Sequence, residues 1–187
     1  FFTKLPSLGP RQAIRLVFHL ANWNKNDLKA FGEELLALQK IKQCIFCYFS
    51  HDNQGNLCNI CNDPHRNKAV FVIVEKPTDL ISLEKTKKIN CRYIILGDLK
   101  KGILDNEQRR RLEVMKQTIV KDLAGKAQEI ILALSPTTYG DINASTLGRE
   151  LNNYSLKITR LARGLPTGGE IEFADEDTLS SSIEKRG

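Results

Sequence analysis

Four cysteines carry the densest chemistry in the chain. Cys44 and Cys47 form one C-x2-C pair and Cys58 and Cys61 a second, with ten residues between the pairs. Each pair sets two sulfurs at one turn. Four thiolates arranged this way match tetrahedral Zn2+, with Zn–S bonds of about 2.3 Å. All four ligand positions come from protein, so no coordination site is open and the role is structural. An iron–sulfur cluster and a redox dithiol are the competing readings of the same spacing. The fifth cysteine, Cys91, precedes a predicted strand and reads as a small buried hydrophobe. His51 and His65 lie near the pairs and read as surface loop residues.

A second candidate is the stretch LPSLGPRQAIRL, residues 5–16. Gly9 can take φ > 0 or let another backbone approach closely. Pro10 suits the first position of a helix. The helix start then offers unpaired N–H groups and the positive end of the dipole. Arg11 and Arg15 are four residues apart and share one face beside it. The guanidinium fork grips phosphate in a bidentate way, so phosphate is the matching ligand. The competing reading is an ordinary helix start with a solvated basic face.

Carboxylates make the third set. Glu75 ends a predicted strand, Asp79 follows one turn later, and Asp141 comes soon after another strand. At the carboxyl ends of parallel strands such acids can hold Mg2+ through hard oxygen ligands. Solvated loop acids and helix caps are the competing reading. The Arg109-Arg110-Arg111 run reads as solvated surface.

These groups need elements to position them. Residues 11–20 and 26–42 each carry an apolar stripe at helical spacing, the second with Asn26 or Asp27 as its cap. The cysteine segment is polar and short, so it needs a staple to fold. From residue 69 the rhythm changes to AVFVIVE, TDLISLEKT, RYIILG, a long helix over 106–125, QEIILAL, a helix over 142–152, and LKITRLA. Continuous apolar runs alternating with helices predict an open, mostly parallel sheet with helices on both faces. In the tail, EIEFA alternates like a short edge strand and DTLSSSIEK reads as a weak helix. The fold class is α/β, with an N-terminal helical hairpin unit (1–43), a four-cysteine knuckle (44–66), a Rossmann-like domain (67–163) and a C-terminal loop, strand and helix (164–187).

Composition narrows the classes of function. The 187 residues carry a net charge of +6, compatible with a polyanionic partner but not diagnostic of one. Charge is uneven: residues 66–169 carry 19 basic and 11 acidic residues, while residues 170–187 carry 2 and 6. A basic body and an acidic tail allow head-to-tail contact between subunits, or simple solubility. No apolar run approaches the roughly 20 residues that span a bilayer, and no signal-peptide pattern is present. The paired cysteines then fit a reducing, cytoplasmic setting. The chain opens on Phe1-Phe2 without methionine, which suggests a preceding segment. Phosphate-loop and nucleophile-elbow motifs are absent.

Taken in order, these pieces resemble the RecR recombination mediator family. LPSLGPRQAIRLVFHL is similar to its helix-hairpin-helix, with a shortened N-terminal helix. The four-cysteine knuckle follows, then VIVEKPTDLISLEKT and YIILG, similar to the start of its Toprim domain. LSPTTYGDINASTLGREL sits at the second Toprim motif, and RLARGLPTGGEIEFADEDTLSSSIEKR resembles the C-terminal signature. The resemblance implies a non-catalytic bacterial, nucleoid-associated clamp, built of dimers pairing to tetramers. Such a clamp acts with RecO and sometimes RecF to load RecA on single-stranded DNA. It implies zinc on Cys44, Cys47, Cys58 and Cys61, DNA contact at Gly9, Arg11 and Arg15, and a Toprim acidic or partner surface at Glu75, Asp79 and Asp141. The second motif departs from the family: Tyr139 stands where a glutamate is expected. Loss of a carboxylate weakens any Mg2+ site. The alternative function is a Toprim-type, Mg2+-dependent nucleic-acid enzyme such as a nuclease or primase. A third class is an interaction scaffold without DNA contact.

Overall fold

The computed structural model describes residues 1–99 and 103–184. The expected loop around Lys100–Gly102 and the last residue of the expected tail helix lie outside that range. The chain divides into two compact units, Phe1–Lys42 and Gln43–Gly187.

The first unit is a helical hairpin. Helix α1 (Pro10–Ala21) starts with Gly9 as N-cap and Pro10 at its first position, where the missing N–H costs nothing. Helix α2 (Lys25–Ala37) is capped by Asn24, whose side chain accepts the Asp27 N–H at 2.9 Å. The cap therefore falls two residues before the expected Asn26, with Asp27 in the first turn favouring the dipole. Trp23 in the turn packs edge-on against Phe31 of α2, with ring centroids 5.6 Å apart. The apolar stripes are real but uncovered. Ala13 and Leu20 are buried, whereas Ile14, Val17, Leu28, Leu35 and Leu38 are exposed.

Two-residue strand β1 (Lys42–Gln43) falls at the boundary between the units; β1 and, in the second unit, β2 (Ser50–His51) bracket the first cysteine pair in sequence, and one turn of helix, α3 (Asn59–Asn62), carries the last cysteine. Then come β3 (Val70–Val74), α4 (Pro77–Lys85), β4 (Arg92–Ile95), α5 (Asn106–Asp122), β5 (Glu129–Ala133), α6 (Thr138–Leu151), β6 (Ile158–Arg160) and α7 (Glu176–Glu184). The last four strands form one parallel sheet in the order β4-β3-β5-β6. The strand order reverses at β3, so the carboxyl ends of β3 and β5 form the switch point where ligands gather in such sheets.

Alternation along β3 sorts the core into two faces. Phe71 and Ile73 pack with Leu112, Met115 and Ile119 of α5 and with Leu147 and Leu151 of α6. Val72 and Val74 pack with Leu80 of α4 and with Cys44, Cys47 and Cys58. The cysteine segment thus takes the place of a second helix on that face. It also reaches the outer edge of the sheet: the Ile95 N–H of β4 donates to the Cys47 carbonyl at 3.1 Å. Among the described residues no strand pairs with the outer side of β6.

The tail departs from expectation. Residues Ile171–Phe173 form a 3-10 turn rather than an edge strand. Among the described residues the segment pairs with no strand, although the outer side of β6 is open, and the alternating pattern leaves Ile171 and Phe173 exposed, the latter by 80%.

Candidate metal centre and nucleic-acid interface

The thiols of Cys44, Cys47, Cys58 and Cys61 lie within 4.8 Å of one another, and Cys47 and Cys58 approach to 3.4 Å. Sulfurs about 2.3 Å from one tetrahedral Zn2+ stand about 3.8 Å apart, so the cluster has the right size. None of the cysteines is in a disulfide. Two backbone N–H groups point at sulfur, Phe49 to Cys47 and Cys61 to Cys58, each at 3.5 Å. Such bonds stabilise bound thiolates and fix their orientation. Tyr48, directly after Cys47, sits at φ 65°, the tight reversal that brings the pair together. The donor set, its size and its N–H···S bonds fit Zn2+. Among the described residues this is the one group of three or more potential ligands within reach of a common ion.

Two neighbours of the cluster differ from the sequence reading. His51 is buried, and its Nδ1 accepts the Asn53 N–H at 3.2 Å. Its Nε2 has no hydrogen-bond partner among the described residues. Arg111 is no solvated charge. It donates to the Ile95 carbonyl at 3.0 Å, bonds Glu107 and lies 4.5 Å over the Tyr48 ring. It clamps α5 to the knuckle and to β4, while Arg110 stays exposed. Cys91 is fully buried, and burial pushes its thiol up to about 12, so it remains protonated and inert.

At the N-terminal site, Arg11 and Arg15 are both exposed, and neither forms an ion pair among the described residues. Of the two readings of Gly9, the left-handed backbone is found instead at Ser7, at φ 64°. Gly9 itself is extended, at φ −75° and ψ 170°. A Cβ there would come within 3.0 Å of the Gln12 side-chain oxygen, which can swing away. The glycine is thus not demanded by its own conformation.

The three acids of the sheet are brought to one end of it but do not form a joint ion site. Glu75 is buried, and its Oε1 accepts the Ser135 N–H at 3.2 Å, tying the ends of β3 and β5 together. Asp79 accepts the Lys76 N–H at 2.9 Å and caps α4. Asp141 is bound by Arg160 and Arg163, both through its Oδ1. Arg160 first, and then Arg163, hold its carboxyl below the usual aspartate range. Tyr139 is half exposed on the first turn of α6.

Sequence reasoning missed two parts of this end of the sheet. Gly140 is pressed against the Ser135 carbonyl, which a Cβ would meet at 1.9 Å. This close approach lets Thr137 cap α6 through the Gly140 N–H at 3.1 Å. The other part is the pair Arg160 and Arg163, visible in sequence only as two basic residues at the end of the last predicted strand.

A parallel four-stranded sheet, with an acidic residue following its first strand and a four-cysteine knuckle packed on one face, defines a Toprim-type α/β protein that carries a zinc-finger-like cluster. Residues 69–162 match the Toprim domain family, and residues 164–186 match the RecR C-terminal family. The chain is 35% identical over 186 residues to the recombination protein RecR of Clostridium perfringens, covering 99% of this chain and 91% of that protein. It is 38% identical over 185 residues to RecR of Synechococcus elongatus (98% and 90%) and 34% identical over 187 residues to RecR of Frankia alni (98% and 90%). The chain belongs to the RecR family of recombination proteins.

Proposed function

We propose that this protein is a non-catalytic, DNA-binding recombination mediator. It assembles as a dimer or tetramer ring and acts with a RecO-like protein, and with RecF where that protein is present, to help load RecA on single-stranded DNA. The observation that carries DNA contact is the pair Arg11 and Arg15: exposed, without carboxylate partners among the described residues, and set beside the open start of α1. Gly9 keeps that approach free of a side chain. The uncovered apolar stripes of α1 and α2 and the exposed Ile171 and Phe173 supply surfaces for self-association. Structural zinc sits on Cys44, Cys47, Cys58 and Cys61 and holds the knuckle against the sheet.

The acids support the non-catalytic reading. Glu75 is engaged by a backbone N–H, Asp79 by a helix start and Asp141 by two arginines. Tyr139 adds no carboxylate, so Mg2+ chemistry lacks its ligands. The test is titration of labelled single- and double-stranded oligonucleotides at several salt concentrations. Arg11→Glu with Arg15→Glu should lower affinity at least about tenfold and flatten the salt dependence, because fewer phosphates release counterions. Unchanged affinity in a folded variant would remove the site. Mg2+-dependent DNA cleavage abolished by Glu75→Gln would favour the enzyme reading instead.

A further inference from the structure

The carboxyl ends of β5 and β6, the start of α6 and the start of the tail helix α7 enclose a cavity of about 500 Å³. Arg160 and Arg163 converge on it, beside Thr137, Thr138 and Thr178. Both guanidinium groups bind a single oxygen, Asp141 Oδ1, each through Nη2. Neither arginine has another side-chain acceptor among the described residues. Two planar forks sharing one oxygen leave most of their donors unused. A phosphodiester offers two anionic non-bridging oxygens, and a terminal phosphate three, so either can engage both forks at once.

The rest of the cavity points the same way. Helix α6 runs for fourteen residues after its Thr137 cap, with its positive end at the cavity wall. The Asp141 side chain is 40% exposed. An ion pair this open to water is weak and readily exchanged. Asp175 lines the cavity too, but its carboxylate is taken by the N–H and hydroxyl of Thr178. Asp177 lies in the first turn of α7 and lines the cavity. Asp141 is therefore the acid that holds the arginine pair, with Asp177 as a more distant contributor.

We propose that Arg160 and Arg163 form a phosphate-binding site that Asp141 occupies in the resting chain, as an internal stand-in for the ligand. The phosphate comes from the backbone of single-stranded DNA, and Asp141 swings aside when it enters. The site rests on the DNA-binding reading and deepens it by adding a second, gated contact on the sheet unit.

The experiment uses the full chain. Asp141→Asn is titrated with a labelled single-stranded oligonucleotide and, separately, with inorganic pyrophosphate. Affinity for the oligonucleotide should rise about threefold to tenfold, with the salt slope steeper by about 0.7 to 1.4, one or two phosphates' worth. Glu172→Gln, which removes one exposed acid outside the cavity, controls for net charge and should leave affinity within about twofold. Adding Arg160→Glu and Arg163→Glu to Asp141→Asn should abolish the gain, with thermal melting used to verify folding. A gain for pyrophosphate alone supports the phosphate site and assigns it to a small phosphate compound, overturning the DNA source. No gain with either probe in folded Asp141→Asn overturns the site, as does a gain that survives the arginine reversals. The separate Arg11→Glu, Arg15→Glu variant keeps the readings apart. If it binds DNA normally, the α1 site fails while a gain in Asp141→Asn still stands.

Discussion

The two compact units handle their apolar residues in opposite ways. In the sheet unit, Phe71, Val72, Ile73 and Val74 of one strand are all buried, shared between two faces that each have a cover. In the helical unit no residue of α2 is buried, and Leu36 is 64% exposed. The pattern that makes an amphipathic helix is present in both, but only one supplies what it must pack against. A short helical hairpin gains little stability from propensity alone, so most of its support must come from packing. The sheet unit, by contrast, gains a cover for its second face from the short cysteine segment, whose Phe46, Phe49, Leu57 and Ile60 pack there beside the sulfurs, provided the four cysteines are tied. The contrast separates a sheet whose apolar strands are covered from a helical hairpin whose apolar stripes are left exposed.

The largest effect should come from breaking the cover of the sheet. Cys47→Ser, or stripping metal with a strong chelator, should release the knuckle and unfold a large part of the second unit. Loss of one zinc per chain by elemental analysis, together with a collapse of the thermal transition, checks this. Gly140→Ala comes next, because the new Cβ meets the Ser135 carbonyl. A loss of about 3 kcal/mol in denaturant unfolding is expected. Ile14→Glu with Leu35→Glu probes the opposite behaviour in the helical unit. Both side chains already face water, so the thermal midpoint should move by less than about 2 °C, while light scattering reports a smaller assembly. A large drop in midpoint would show that these residues are core after all.

The smallest effect concerns acid. Arg66 pairs with Glu84 through both guanidinium nitrogens, and that pairing holds the Glu84 carboxyl below its usual range. A depressed folded value gives stability that is present above the ordinary glutamate range and lost as pH falls through the folded value. Wild type should lose a modest increment of stability in that acid window. Glu84→Gln should lose none of it there, as read by urea unfolding across pH.

Much of the sheet was legible because its signals are local. VFVIV is a continuous apolar run, and it is a buried parallel strand. The cysteine spacing is local too, and it brings four sulfurs together. What escaped depends on partners distant in sequence. Asp141 reads as one acid among three until Arg160 and Arg163, 19 and 22 residues on, close over it. Three consecutive arginines look alike until Tyr48 selects Arg111. His51 looks like a loop residue because nothing nearby in sequence foretells its burial. At the start of α2, Asn24, Asn26 and Asp27 can all cap, and local chemistry does not break the tie. EIEF alternates as a strand should, but alternation describes a face and not the neighbour that completes it.

The Cys47 carbonyl on the Ile95 N–H has a consequence for how copies can join. A sheet with two free edges can add strands on both sides and grow without limit. Here the knuckle takes the Ile95 N–H on the outer side of β4, while among the described residues nothing pairs with the outer side of β6. Pairing of two copies through the open side of β6, edge to like edge, would join two chains, and larger rings would then need a second kind of contact. The segment that gathers the four sulfurs thus also takes up a donor on the β4 edge, leaving the two sides of the sheet unequal as docking strands.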